Sequence, residues 1–243
     1  MELYAKRVAT AGEVIKQKGL GDQRAKVALV LDISGSMESE YRRGRVQTIV
    51  ERLLALGARF DDNQAIDTFA FGVKCYDLGE LPESNFDGWV KRVILKKYSL
   101  EPGTNYAGVM KMIMQHYYPN TVKLVKGGFF GGSKETLPTS PVKSTEDPAY
   151  VMFITDGNND DKGATDLAIT AAANLGIFWQ FIGIGGSSFG YLEKLDEMEG
   201  RLVDNANFFQ ARNIDQLSDE ELYGLMLGEF PDWLKKAKQL GLY

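Results

Sequence analysis

Lys26-Val27-Ala28-Leu29-Val30-Leu31-Asp32-Ile33-Ser34-Gly35-Ser36 is the stretch on which the fold turns. Residues 27–31 are aliphatic with no polar alternation, so a strand there buries both faces, as in a parallel sheet covered by helices on each side. At Asp32 the character changes. Asp32, Ser34 and Ser36 carry oxygen at alternate positions, and Gly35 permits a tight turn between them. In open α/β sheets the carboxyl ends of the strands border the crevice where ligands bind, so this polar end is the first candidate site.

Outward from that strand, apolar runs of strand length alternate with segments of helical period. Leu3, Val8, Val14 and Ile15 predict an N-terminal helix within 1–20, ending near Gly19 or Gly21. Residues 45–60 hold Val46, Ile49, Val50, Leu53, Leu54 and Leu56 at helical spacing, and 66–71 and 73–78 read as paired strands, the second an antiparallel edge. Trp89, Val93 and Ile94 mark a short helix, and 106–118 turns Val109, Met110, Ile113 and Met114 toward the sheet. Unbroken strands follow at 150–155 and 177–184, separated by a helix at 163–175. A helix at 191–198, a short strand at 207–210 and helical segments over 217–240, broken at Pro231, complete the pattern. Trp233, Leu234, Leu240 and Leu242 are read as closing the chain's own core. The expected architecture is an α/β, doubly wound, mostly parallel central sheet with one antiparallel edge strand and helices on both faces. It forms a single domain over 1–243 with a C-terminal helical segment at 215–243.

Residues 119–148 stand apart. They include Gly127-Gly128-Phe129-Phe130-Gly131-Gly132 and three prolines after Pro119, which predict an inserted, mobile loop or hairpin. Lys123, Lys126, Lys134 and Lys143 are balanced there by Glu135, Glu146 and Asp147, the composition of a solvated face.

A net charge of −5 argues against a nucleic-acid footprint, which requires a clustered basic face. No segment reaches the roughly 18–20 apolar residues of a membrane span, and no apolar run near the start has signal-peptide length. Cys75 is the single cysteine, so neither an intramolecular disulfide nor a thiolate zinc site forms, which suits a reducing compartment. Its expected role is a small buried hydrophobe. The expected location is the cytoplasm.

Two further loops contribute oxygen. Thr104 follows Pro102-Gly103 ahead of a helix, and Asp156 stands in Thr155-Asp156-Gly157 at the end of the 150–155 strand. Asp32-Ile33-Ser34-Gly35-Ser36, Thr104 and Asp156-Gly157 together resemble the three-part metal-ion-dependent adhesion site (MIDAS) of von Willebrand factor A domains. Over nearly the whole chain the sequence is most similar to the A domains of bacterial TerF-type tellurium-resistance proteins. The resemblance implies a divalent cation, Mg²⁺ first with Mn²⁺ or Ca²⁺ as alternatives. Ser34, Ser36 and Thr104 would meet it through hydroxyls, and Asp32 and Asp156 directly or through water. It also implies a non-enzymatic protein-binding role in a stress-response complex, with a partner supplying an Asp or Glu carboxylate. The chemistry is consistent: hard cations of this size take oxygen ligands and keep several waters.

Competing readings attach to the same residues. Asp32, Ser34 and Ser36 also suit a helix cap, and Asn158, Asn159, Asp160 and Asp161 suit a polar loop capping the helix that follows. A serine hydrolase lacks a base, since His116 is the only histidine and sits late in a helix, where a surface or dipole role is expected. Phosphoryl transfer or hydrolysis through Asp32 is the second enzymatic form, but Ser34 stands where an acid–base aspartate is needed. No phosphate-binding GxxxxGK[ST] loop is present, and Gly183-Ile184-Gly185-Gly186 lacks the spacing of a dinucleotide fingerprint. A metal-independent scaffold is the remaining alternative.

Overall fold

The computed structural model describes residues 2–61, 64–125, 134–185, 188–211 and 214–243. Six strands form one sheet: β1 (Lys26–Asp32), β2 (Ala65–Phe71), β3 (Cys75–Pro82), then β6 (Ala149–Thr155), β7 (Ile177–Gly183) and β8 (Ala206–Gln210), in the spatial order β3-β2-β1-β6-β7-β8. All neighbours are parallel except β2 and β3. The doubly wound, mostly parallel sheet with one antiparallel edge strand is therefore observed. A separate hairpin pairs β4 (Lys123–Val125) with β5 (Lys134–Thr136).

Alternate side chains of the central strands feed two cores. Val27, Leu29 and Leu31 of β1 and Tyr150, Met152 and Ile154 of β6 lie in the core under α1 (Glu2–Gln17), α3 (Arg45–Gly57), α7 (Asp219–Met226) and α8 (Phe230–Gln239). Ala28, Val30, Val151 and Phe153 face the core under α4 (Tyr106–Tyr117), α5 (Lys162–Ala172) and α6 (Gly190–Asp196). This two-sided burial is the reason the strands show no polar alternation. A five-residue helix, α2 (Glu38–Arg42), links the end of β1 to α3.

Several boundaries differ from the sequence expectation. The helix expected over 45–60 ends at Gly57, where a Cβ would lie 2.7 Å from Ile66 Cγ2, because the chain there presses directly against β2. The edge strand runs to Pro82 rather than residue 78, and a register shift at Thr68/Phe69 accommodates the additional pairing. The short helix around Trp89 is a π-helical turn over Val90–Leu95. Pro231 does not break a helix but sits in the first turn of α8, where its missing N–H costs no hydrogen bond. Cys75 is only partly buried. His116 closes α4 half-exposed, its Nε2 3.3 Å from Asp67. Trp233, Leu234 and Leu242 are buried in the chain's own core as expected, with Leu240 packed against it.

The glycine- and phenylalanine-rich run at 127–132 lies outside the described residues, as does Lys126. The described part of 119–148 includes the β4–β5 hairpin, one of the two forms expected there, and the residues after it are laid onto the domain. Val142 N–H donates to Asn174 O at 2.9 Å, and Leu137 and Val142 pack against the core.

Arg52 ties α3 to the segment leading into α7. It is 4% exposed, and it donates to Asp219 Oδ1 at 2.6 Å and to the carbonyls of Ile214 and Leu217 at 2.8 Å each. Arg52→Ala strands two carbonyls and part-buried Asp219, with an expected loss of about 3 kcal/mol in urea unfolding. A loss of less than about 1 kcal/mol, within the range of an exposed ion pair, contradicts this role.

Candidate metal centre

The strand order reverses between β1 and β6, since β1 connects leftward to β2 and β6 rightward to β7. Leu31 pairs with Ile154, so Asp32 and Thr155-Asp156 leave the sheet side by side at this switch point. Asp32 (0% exposed), Ser34, Thr104 and Asp156 are buried, whereas Ser36 is exposed on the outer side.

Three loops are laced into a closed triangle. Between the first and second, Glu101 N–H donates to Ile33 O at 2.8 Å and Gly35 N–H to Glu101 O at 2.7 Å. Between the second and third, Thr104 N–H donates to Asp160 Oδ2 and Asp160 N–H to Thr104 O, both at 2.8 Å. Between the third and first, the Thr155 hydroxyl donates to Asp32 Oδ2 at 2.7 Å. All five candidate residues stand on these loops, and the Ser34 and Ser36 hydroxyls are 3.0 Å apart.

The hydroxyl of Thr155 orders its surroundings. Its single proton is committed to Asp32, so the Tyr106 hydroxyl, 2.9 Å away, is a donor to it, joined by Gly157 N–H at 3.2 Å. Asp32 Oδ1 accepts Ser34 N–H at 2.7 Å, and Tyr41 OH donates to the Asp32 carbonyl at 2.8 Å. Gly157 has φ 95°, and a Cβ there would meet Ser188 O at 2.8 Å, so the turn after Asp156 requires glycine.

Burial pushes the Asp32 carboxyl from 3.8 up to about 6; hydrogen bonds from Ser34 and Thr155 oppose the shift and the nearby Asp156 adds to it. Neither carboxylate has a side-chain cation beside it among the described residues. Among those residues no three His, Cys, Asp or Glu side chains group as a cage. The donors are two carboxylates and three hydroxyls, a hard-oxygen set that fits Mg²⁺, Mn²⁺ or Ca²⁺, whose charge the two carboxylates match while the coordination shell keeps room for water or a further oxygen.

The sequence reading missed the supporting residues. Thr155 is a hydroxyl ending an otherwise apolar strand, which was a visible signal; Tyr106 and Tyr41 gave none. Asp161 does stand at the N-cap of α5, its carbonyl accepting Thr165 N–H at 3.0 Å, but its carboxylate does not cap that helix's backbone and serves a second helix as well. Asp161 accepts the N–H groups of Tyr106 and Ala107 at 2.9 and 3.0 Å, at the start of α4. The expected cap position on α5 is thus observed, and its carboxylate in addition caps the neighbouring α4, just beyond Thr104.

An open parallel sheet of this order, with a polar three-loop cluster at its switch point, is the architecture of a von Willebrand factor A (vWA) domain. The chain belongs to the vWA-TerF-like family, the vWA found in the TerF C terminus, whose model matches residues 24–128 and 135–243. It is 38% identical over 231 residues to the uncharacterized protein YcbR of Bacillus subtilis (strain 168), covering 94% of this chain and 85% of that protein. Proximal thread matrix protein 1 of the mussel byssus shares the fold, with a TM-score of 0.55 at 13% identity. A second structure of that protein, with a zinc-occupied MIDAS motif, gives 0.52 at 14%. Each match covers 85% of this chain and 48% of the mussel chain, so the chain spans about half the length of these neighbours. No described helix is long and apolar enough to cross a membrane.

The raised carboxyl sets a pH dependence for the cation-free protein. Below 3.8 Asp32 is protonated whether folded or unfolded; between 3.8 and about 6 only the folded chain keeps the proton, so stability falls as pH rises through that window. Above it the loss is constant. In EDTA, Asp32→Asn is expected to remove this slope and to exceed wild type by roughly 1–3 kcal/mol at about pH 7.5, with the gap closing near pH 4. Urea titrations at both pH values measure it, and an Asp32→Asn protein weaker than wild type at the higher pH contradicts it.

Proposed function

We propose that residues 1–243 act as one cation-dependent protein-binding domain, with Asp32, Ser34, Ser36, Thr104 and Asp156 holding a divalent cation, Mg²⁺ in the first instance. One observation carries this reading: two buried carboxylates share a crevice with no cationic side chain beside them among the described residues. Buried charges are otherwise paired, neutralised or metal-bound. A bound divalent cation supplies an electron-poor centre at which a partner's Asp or Glu replaces a water.

The chain's own residues prepare that exchange. Ser34, Ser36 and Thr104 offer neutral oxygens, and Asp32 is held back from the outer side by Thr155 and Ser34. Exposed Ser36 borders the side open to a partner. The zinc in the MIDAS motif of the mussel protein supports the ion assignment as an analogy of fold. We infer a non-enzymatic role: the chain's single histidine, His116, lies on β2's Asp67 at the far end of α4 and so is not the base of a Ser-His pair in the crevice. The setting we infer is a bacterial tellurium-resistance or stress-response assembly in the cytoplasm. The family's naming for TerF and the lone, partly buried cysteine support it.

Titrating Mg²⁺ or Mn²⁺ into EDTA-stripped protein tests the site. At a hundredfold excess over Kd the ion is expected to add about 2.7 kcal/mol, which raises the melting temperature by roughly 5–10 °C. Thr104→Ala should lose most of that gain and Thr104→Ser should keep much of it, because the hydroxyl survives. Absence of any shift at millimolar metal in wild type removes the reading.

A further inference from the structure

Beside the three-loop site lies a groove of about 470 Å³ that the cation reading leaves unused. Buried Tyr41 and Val90 line its inner part and Leu95, 45% exposed, its outer part. Arg42, Lys91 and Lys96, all exposed, complete the lining, and no carboxylate contributes to it among the described residues. Tyr41 connects groove and site directly, since it lines the one while its hydroxyl donates to the Asp32 carbonyl of the other.

The groove is built, not an accident of side-chain placement. Gln47 fastens its two walls, accepting Val90 N–H at 2.8 Å and donating to Phe86 O at 3.0 Å. Gly44, at φ 74° with nothing within 4 Å of a Cβ position, keeps one side open. Lys91 and Leu95 stand on the π-helical turn, a distortion that recurs at functional sites.

Its charge runs against the rest of the molecule. The chain carries −5 overall, and at four lysines elsewhere a carboxylate sits within reach, Lys26 with Glu146, Lys111 with Glu135, Lys194 with Asp166 and Lys235 with Asp232, whereas this hollow is bordered by three cations and by no acid among the described residues. Arg42, Lys91 and Lys96 enter no ion pair among the described residues. Three unmatched cations around an apolar hollow complement one kind of segment, an apolar side chain flanked by carboxylates.

We propose that this groove is a second subsite for the protein partner: an aliphatic or aromatic side chain of the partner seats against Tyr41, Val90 and Leu95, and neighbouring Asp or Glu residues meet Arg42, Lys91 and Lys96. The partner is thus an acidic segment with an apolar anchor. The proposal rests on the cation-dependent reading for the identity of the neighbouring anchor, and on the groove's own shape and charge for this one.

A phage-displayed random-peptide library panned on the full chain in Mg²⁺ tests it. Enriched peptides are expected to carry an apolar residue within a run of Asp and Glu. The affinity of the best of them, read by fluorescence anisotropy, is expected to fall about tenfold or more in the Lys91→Glu, Lys96→Glu double variant and to weaken with added salt. Leu95→Asp, at an exposed position, gives a second variant that leaves the lysines intact and should lose affinity as well. EDTA and Thr104→Ala separate the two anchors. Binding that survives both yet fails on charge reversal upholds the groove and removes the cation reading. Binding that needs the ion but is indifferent to charge reversal and to Leu95→Asp overturns the groove. Enrichment without the acidic-apolar pattern, or no enrichment, also overturns it. So does a dimer in sedimentation that the double variant dissociates, because the occupant is then a second copy of this chain.

Discussion

Asp32 ends the central strand fully shielded from solvent, one residue beyond Leu31, whose partner Ile154 precedes Thr155 and Asp156. A carboxylate in that position loses its hydration, and two hydrogen bonds, from Ser34 N–H and the Thr155 hydroxyl, recover only part of it. A second buried carboxylate close by makes ionisation harder still. Such a pair weakens the fold at neutral pH unless a positive charge compensates it, and the described side chains do not provide one. The remainder of the crevice can be understood as the structure needed to hold this imbalance in place.

That structure is a matter of connection between distant parts of the chain. The lacing through Glu101, Asp160 and Thr155 fixes three loops that come from three different crossovers. Each loop is therefore positioned by two others as well as by its own strand or helix. Asp161 extends the arrangement into the α4 N-terminus, so Thr104 is held by a helix cap on one side and by reciprocal bonds with the Asp160 carboxylate and N–H on the other. Oxygen atoms fixed this way need little rearrangement to receive an ion, which is the condition for selecting by geometry.

The fold was legible because the strands are buried on both faces and their apolar runs are unbroken; 26–31, 150–155 and 177–184 need no tertiary information to be recognised. The five candidate residues were legible for a related reason: each is a polar side chain at an abrupt end of an apolar or helical element. Thr155, Asp160 and Asp161 act through contacts whose partners are 50 or more residues away, and local pattern carries no record of them. Asp161 shows the consequence, since proximity in sequence placed it at the start of α5, where it stands, and gave no sign that its carboxylate also caps α4. The groove at Tyr41 was invisible for the same reason. Its cations come from α2 and from the turn after β3, and neither segment is basic enough alone to draw notice.

The central claim is that the balancing charge is an ion held by the three loops. Crystals of the chain soaked in Mn²⁺ and measured near the manganese absorption edge examine it without assumptions about the partner. The account predicts an anomalous peak bounded by the Ser34, Ser36 and Thr104 hydroxyls, with Asp32 and Asp156 beside it or one water away. A fully occupied soak with no peak in the crevice, or with manganese only at surface carboxylates elsewhere, would contradict it.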